Sequence, residues 1–343
     1  MKKIIVIFII FFIALFGLPI IFTKSNFNVG EKRIEENIIE NVNIEETKEI
    51  KENNEQPYLY SQYSNIELLH STTGEKEKLP LDTYLLGVVS AEMPAQFEQE
   101  ALNAQAVVAR TYTIYSIKNN NNKHEEADIC DNPSCCQAWI SKDDRLAKWD
   151  NNNKEEFWKK IEISVNTTKG KIITYDGEPI DAFFHSNSGG ITEIPVNVWG
   201  GTDFPYLQSV QTSGEDAYAQ YSSEVILSKE EFIKKIKEKY KNFEIDFNNK
   251  DCIKVVEYTN SNRVKTIQVG NIKISGIEFR NIVGLKSANF KVQTNENEIF
   301  FEVQGYGHGV GMSQTGADSM AKNGASYEEI IKHFYTGVEL INL

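Results

Sequence analysis

The most unusual carboxyl group in the sequence is that of Glu92. It follows the apolar run LDTYLLGVV, and the dipeptide Met93-Pro94 comes directly after it. Proline removes a backbone donor and disfavours helix in the residue before it, so a helix is expected to end here. A carboxyl group in apolar surroundings stays partly protonated near neutral pH, which suits acid catalysis of glycosidic bond cleavage. Helix-end glutamates are also commonly solvated, so a purely structural role is the alternative.

Two further segments concentrate glycine, histidine and serine. They are FFHSNSGGIT at residues 183–192 and GYGHGVGMSQTGA at residues 305–317. Glycines let backbone amides approach a ligand or another chain segment, because no Cβ stands in the way. A tight strand-to-helix turn would use the same residues. Because His308, Ser313 and Gln314 share one segment, we interpret it as a candidate binding site.

Two other hydrolytic chemistries lack their sequence signatures. There is no G-x-S-x-G motif, and none of Ser186, Ser188 and Ser313 lies in a recognisable nucleophile elbow. A metallohydrolase would have to pair the histidines of the two segments with Glu92, yet no H-E-x-x-H motif is present. Carbohydrate chemistry through Glu92 is therefore the hypothesis that the residues favour.

A fourth group of potential ligands lies in the polar loop HEEADICDNPSCC at residues 124–136. It contains His124, Cys130, Cys135 and Cys136. Structural zinc takes four nitrogen or sulfur ligands, but adjacent cysteines reach one metal only with distortion. A disulfide from Cys130 to one of the other two cysteines is the alternative. The spacing alone leaves both open.

The elements that must position these groups form an α+β pattern. Apolar spacing and capping signals predict helices at residues 79–89, 98–117, 155–165, 229–240 and 328–335. A hairpin is predicted at Asp176-Gly177, because these residues adopt the backbone conformation of a tight turn. Alternating residues indicate mainly strands across residues 251–303, where Cys252 is expected to be a buried apolar side chain.

The N-terminus predicts a membrane anchor. Lys2 and Lys3 precede an uncharged run at residues 4–22. About nineteen helical residues reach roughly 28 Å, close to the thickness of the hydrocarbon core. A cleaved signal peptide is the alternative, but the run is long and lacks an A-x-A site. The positive-inside rule predicts a cytoplasmic N-terminus.

Composition then divides the chain into three parts. We expect a cytoplasmic stub and anchor at residues 1–23, an acidic disordered tether at 24–56 and an ectodomain at 57–343. The net charge of −13 argues against a nucleic-acid partner.

The segment YLLGVVSAEMPAQFEQEALNAQAVVARTY closely resembles the core motif of the stage II sporulation protein D family. The blocks AFFHSNSGG, PYLQSV, GIEFRNIVGLKSANF and GYGHGVGMSQTGA follow in the order of that family. The resemblance implies a membrane-anchored lytic transglycosylase that cuts the bond between N-acetylmuramic acid (MurNAc) and N-acetylglucosamine (GlcNAc) in peptide-stripped peptidoglycan. It also implies a sporulation amidase, protein P, and a membrane protein, M, as partners during engulfment, in the space between mother cell and forespore.

The resemblance also implies roles for individual residues. Glu92 would act as acid and then as base, giving a 1,6-anhydro end without a second carboxylate. Arg110 would orient the glycan or the glutamate, or form a structural ion pair, and Tyr206 would stack on a sugar or belong to the core. The loop with four potential ligands would hold a structural zinc ion. The candidates for binding sugar hydroxyl and N-acetyl groups are His185, Ser186, Ser188, His308, Ser313 and Gln314.

Two alternatives to the transglycosylase remain open from the sequence. One is a muramidase that hydrolyses the same bond with water, for which a second carboxylate is normally needed. The other is a non-catalytic scaffold that binds glycan and recruits the amidase.

Overall fold

The computed structural model describes residues 60–119, 123–124 and 126–343 of the 343-residue chain. The predicted anchor and tether lie outside the described residues. Within the described part, no helix combines the length and apolar character needed to cross a membrane. The structure there mixes helices and small sheets, which confirms the predicted α+β class.

The larger hydrophobic core is built around helices. Helix α1 covers Leu81–Glu92 and α2 covers Gln99–Lys118, close to the predicted positions. Every residue of α2 from Ala101 to Ile114 is buried, since its alanines let neighbouring elements approach on all sides. Helices packed around or near α1 and α2 are α3 (Lys142–Lys148), α4 (Lys154–Thr167), α8 (Gln314–Lys322) and α9 (Tyr327–Phe334).

Two small sheets border this core. Strands β1 (Asn65–Leu69) and β2 (Lys76–Pro80) are antiparallel, and β3 (Ile129–Cys130) pairs parallel with β1. The second sheet has the strand order β14-β4-β5, with β4 at Lys171–Tyr175, β5 at Glu178–Pro179 and β14 at Glu339–Asn342. The predicted hairpin turn joins β4 to β5, with φ of 49° at Asp176 and 79° at Gly177.

Residues 222–304 form a second hydrophobic core. This segment is inserted into the larger core between Tyr221 and Gly305. The backbone amide of Gly305 donates to the carbonyl of Tyr221 at 2.7 Å, so the insertion leaves and returns at one point. Four phenylalanines, Phe232, Phe279, Phe290 and Phe301, stack at its centre.

The insertion contains two three-stranded sheets and two helices. Its strands are β7 (Ser222–Ser228), β8 (Ile253–Tyr258), β9 (Val264–Val269), β10 (Ile272–Ser275), β11 (Asn289–Thr294) and β12 (Glu298–Gln304). They form sheets with the strand orders β10-β9-β8 and β11-β12-β7. The helices are α6 (Lys229–Lys239) and α7 (Gly276–Val283), and α7 interrupts the stretch in which strands were predicted.

The two glycine- and histidine-rich segments lie side by side. Strand β6 (Phe184–His185) pairs parallel with β13 (Met312–Ser313), and the short helix α5 (Pro195–Trp199) follows the first segment. Residues far apart in the sequence therefore meet at one edge of the larger core.

Candidate active site

A cleft of about 990 Å³ opens where these segments meet. The end of α1, the last turn of α2, β6 and the loop before β13 line it from the larger core, and α7 lines it from the insertion. Glu92, His185, Ser186, His308 and Gln314 all face this cleft, so the structure brings together five of the residues singled out from the sequence.

Glu92 is the last residue of α1, because Met93 adopts an extended conformation with φ of −113°. Burial raises the pKa of Glu92 to about 7, although hydrogen bonds from the Ala138 amide and the Gln314 side chain oppose the rise. The Ala138 amide donates to Oε1 of Glu92 at 2.6 Å. The carboxyl group is thus held in place and divided between its two protonation states near neutral pH.

The histidines of the two segments are neutral at neutral pH. Burial lowers the pKa of His185 to about 4 and that of His308 to about 3. The ring of His185 donates from Nδ1 to the carbonyl of Val310 at 3.0 Å, and Nδ1 of His308 accepts from the Val310 amide at 3.1 Å. Nε2 of His185 has no hydrogen-bond partner among the described residues and can accept from a ligand, whereas the N–H of the His308 ring is engaged by the backbone of Phe184.

Two serines predicted to bind sugar have other partners. The hydroxyl of Ser188 donates to Oε2 of Glu215 at 2.5 Å, and that of Ser313 donates to Oε1 of the same residue. Glu215 is 1% exposed and also accepts hydrogen bonds from Thr212 and the Gly190 amide. Side-chain hydrogen bonds from the serines lower the pKa of Glu215 against the effect of burial. Neither serine lines the cleft.

Arg110 and Tyr206 are also absent from the cleft lining. The guanidinium of Arg110 is fully buried and donates to the carbonyls of Thr168 at 2.8 Å and Lys171 at 3.2 Å. Nη2 of Arg110 also lies 3.9 Å from Oδ1 of Asp82, so this placement favours the structural ion pair over contact with the glycan or with Glu92. The hydroxyl of Tyr206 accepts from the Asp181 amide at 3.1 Å, and its ring packs in the core.

Four cleft residues were missed by the sequence reasoning. Trp199 and Tyr306 are 52% and 44% exposed, which is unusual for large aromatic side chains. Burial raises the pKa of Asp181 to about 7, and its Oδ1 lies buried without a hydrogen-bond partner among the described residues. Arg280 enters the cleft from α7. Tyr306 lies in the glycine-rich segment 305–317, which could have pointed to it, whereas no local pattern distinguishes the other three from surface residues of the same types.

The four potential metal ligands also meet in space. The ligand atoms of His124, Cys130, Cys135 and Cys136 lie within 4.8 Å of one another, and all three cysteines are free. Nε2 of His124 is 3.2 Å from Sγ of Cys136 and 3.7 Å from Sγ of Cys135. One nitrogen and three sulfurs at this separation fit a four-coordinate metal. His124, Cys135 and Cys136 border the cleft.

The fold and the cleft define an α+β protein with an open groove, one positioned acid/base group and exposed aromatic rings. The chain belongs to the stage II sporulation protein D family. The family model described as "Stage II sporulation protein" matches residues 70–175. Membership supports a sporulation-related role.

Three relatives illustrate the match. The stage II sporulation protein D of Bacillus amyloliquefaciens is 32% identical over 83% of this chain and 81% of its own length. That of Bacillus subtilis (strain 168) is 33% identical over 77% of this chain and 75% of its own length. A protein of the same strain named amidase enhancer is 27% identical over 75% of this chain and 40% of its own length.

Proposed function

We propose that the chain is a lytic transglycosylase of the cell wall that cuts the MurNAc–GlcNAc bond of peptide-stripped peptidoglycan. The observation that carries the proposal is the carboxyl group of Glu92 in the cleft, with a pKa of about 7. A group with this pKa can donate a proton at neutral pH and accept one later in the same cycle.

The mechanism needs only this carboxyl group. Because the Ala138 amide donates to Oε1 of Glu92, the proton resides on Oε2. Oε2 donates it to the glycosidic oxygen as the bond from C1 of MurNAc breaks. The carboxylate then takes the proton of the C6 hydroxyl, whose oxygen bonds to C1. No water is consumed, and the products are a 1,6-anhydroMurNAc end and a GlcNAc end with a free 4-hydroxyl group.

The other cleft residues would hold the glycan. Nε2 of His185 and the hydroxyl of Ser186 offer an acceptor and a donor to sugar hydroxyl and N-acetyl groups, and the ring of His308 lies beside them in the cleft wall. The ring of Trp199 packs against that of Phe183, with centroids 4.6 Å apart and an interplanar angle of 35°, and leaves half of its surface exposed. Such a supported, exposed ring suits the apolar face of a sugar.

The His124, Cys130, Cys135 and Cys136 cluster would hold zinc. A closed set of one imidazole and three thiolates supplies structural rigidity and leaves no open position for chemistry. The metal site would affect catalysis only indirectly, by fixing the backbone near Ala138. This residue lies two positions after Cys136, and its amide donates to Glu92. Metal analysis of the purified protein tests this: zinc should copurify at about one ion per chain.

The proposed location and partners follow the family resemblance. Residues 1–23 would anchor the protein in the cell membrane, with residues 57–343 outside, between mother cell and forespore. An amidase that strips stem peptides would supply the substrate, and the name of the amidase-enhancer relative is consistent with such a partner. Membrane protein M is the second proposed partner.

A muramidase is the second candidate function, and Asp181 is the observation that favours it. A hydrolase that uses water normally has two carboxyl groups beside the scissile bond. Asp181 shares the cleft with Glu92 and has a raised pKa of about 7 caused by burial.

Digestion of peptide-free glycan strands tests both candidates. A transglycosylase releases anhydro ends, which mass spectrometry finds one water lighter than the reducing ends left by a muramidase. Glu92→Gln should abolish cleavage in either case, whereas Asp181→Asn should abolish it only in a muramidase. The matched control is Glu238→Gln, which removes an exposed carboxylate from α6. Full cleavage by Glu92→Gln would contradict the role of Glu92 in both mechanisms, whereas no cleavage by the unsubstituted chain would leave the scaffold hypothesis.

A further inference from the structure

Arg280 is a cationic residue of the cleft that has no role in the proposed mechanism. It lies in the last turn of α7 and brings the inserted core into contact with the cleft. Its Nε donates to the carbonyl of Leu285 at 3.2 Å, which orients the side chain. Neither terminal nitrogen has a hydrogen-bond partner among the described residues, so four of the five N–H donors of the guanidinium are left for a ligand or solvent.

No carboxylate balances this charge. None of the ion pairs between described residues includes Arg280. Its ionisable neighbours are Arg263, the neutral His308 and Tyr306. Burial lowers the pKa of Arg280, yet arginine keeps its proton. A half-buried cation without a counter-ion, in a chain of net charge −13, indicates an anionic ligand.

The surroundings favour an anion further. A second cation, Lys123, also lines the cleft, and Nζ of Lys286 lies 5.3 Å from the centroid of the Tyr306 ring, which lines it too. Three acidic residues line the cleft, and two of them, Glu92 and Asp181, have pKa values of about 7 because of burial; the third is Asp128. Glu92 and Asp181 therefore repel an anionic polymer less than ordinary carboxylates would.

We propose that Arg280 forms a subsite for the lactyl carboxylate of MurNAc. The inference rests on the proposed function. A peptide-free strand carries one lactyl carboxylate on each MurNAc, and its other polar groups are neutral. In intact peptidoglycan the same carbon is an amide linked to the stem peptide, without charge. A guanidinium fork can bind a carboxylate with two parallel hydrogen bonds, which an amide cannot match.

The test measures binding without turnover. The full chain carrying Glu92→Gln is titrated by calorimetry with three probes of equal length: the (GlcNAc–MurNAc)₂ free acid, its lactyl methylamide and chitotetraose. The same titrations are repeated with Arg280→Gln, Arg280→Lys and Lys273→Gln added. Lys273→Gln is the matched control, because Lys273 is an exposed cation on β10 of the same inserted core.

We expect the free acid to bind roughly tenfold or more tightly than the other two probes, the usual worth of a charge-assisted hydrogen-bond pair. Arg280→Gln should remove this preference and leave chitotetraose binding unchanged. Arg280→Lys should restore part of it, and Lys273→Gln should retain it fully. Raising the salt concentration should lower the affinity for the free acid but not the affinities for the other two probes.

Two results would overturn the subsite. One is equal affinity of the unsubstituted Arg280 chain for the free acid and the methylamide. The other is an Arg280→Gln effect of the same size on all three probes, which would mark Arg280 as a structural cap of α7. A failure of the proposed function looks different: with Glu92 intact the free acid is still preferred, but it is not cleaved.

Discussion

Glu92 occupies a position where two effects favour its protonated form. The first is burial beside the apolar end of α1, which raises the pKa of the carboxyl group. The second is the helix itself, because the C-terminal end of a helix carries partial negative charge and disfavours a carboxylate in its last turn. The hydrogen bond from Ala138 limits the rise, so that the group remains able to return to the charged form.

The rate of cleavage should therefore fall as the pH rises through neutrality. Glu92 must start protonated, and its pKa is raised to about 7 rather than lowered, so the competent form is lost above that pH. We expect kcat/KM on peptide-free strands to decrease about tenfold per pH unit above the pKa. The measurement is a pH–rate profile on strands of uniform length.

The control for this profile is Asp181→Asn, because burial raises the pKa of Asp181 to about 7 as well. If Glu92 is the acid, the variant keeps the decline in the same pH range. A profile that becomes flat in Asp181→Asn would assign the acid to Asp181 and contradict the mechanism.

Glu92 could be predicted from the sequence, whereas Asp181, Trp199 and Arg280 could not. The first is marked locally, by an apolar run that Met93-Pro94 interrupts. The other three gain their significance only because separate elements converge on one cleft. The same limit applies to the serines, because nothing near Ser188 in the sequence indicates that Glu215 accepts a hydrogen bond from its hydroxyl.

Among the elements, those with regular patterns were predicted closely. Helices α1, α2, α6 and α9 and the hairpin at Asp176-Gly177 carry their signals in apolar spacing, capping boxes or turn residues. Helix α7 was missed because GIEFRNIV has only two turns, and tertiary packing of Phe279 decides its conformation. The β6–β13 pair has two residues in each strand, too few for any periodicity.

Gly311 is the residue that allows β13 to approach β6. Its φ is +70°, and a Cβ there would lie 1.9 Å from the carbonyl oxygen of Phe183. That oxygen accepts the hydrogen bond from the Met312 amide at 3.1 Å. Gly311→Ala should therefore separate the strands, lower the free energy of unfolding by about 3 kcal/mol or more and reduce cleavage. Chemical denaturation and strand digestion measure the two effects.

The matched control is Gly324→Ala. Gly324 has a similar φ of +89°, but a Cβ there would meet no atom within 4 Å. Its substitution should lower the free energy of unfolding by only about 1 kcal/mol, the usual penalty of a left-handed backbone, and leave cleavage unchanged. Equal losses in the two variants would show that the close approach of the strands contributes nothing.

Across the whole molecule, the sequence predicted one region at residues 57–343 but not its second core. The amino-acid composition does not change at either end of the insertion at residues 222–304. Apolar and polar residues alternate along its strands as they do along those of the larger core. Its arrangement matters for function, because the cleft combines Glu92 from one core with Arg280 from the other. Binding of substrate at both groups requires that the two cores keep a fixed geometry.

Arg263 is the residue best placed to fix that geometry. It belongs to the insertion, is 2% exposed and donates to the carbonyls of Ser188 at 2.8 Å and Ile191 at 3.0 Å in the larger core. Burial lowers the pKa of Arg263 to about 10, so the group stays charged at neutral pH. Gly309 lies against the guanidinium, where a Cβ would meet Nη2 at 2.3 Å.

Arg263→Met should uncouple the two cores. It keeps the length of the side chain but leaves two buried carbonyls without donors, at about 1–3 kcal/mol each. We expect hydrogen exchange of β8, β9 and β10 to accelerate more than that of α2, and KM for peptide-free strands to rise more than kcat falls. Lys265→Met, at an exposed position on β9, is the control and should change neither. If hydrogen exchange accelerated equally in both cores, they would unfold as one unit. Arg263 would then stabilise the entire fold rather than the contact between the two cores.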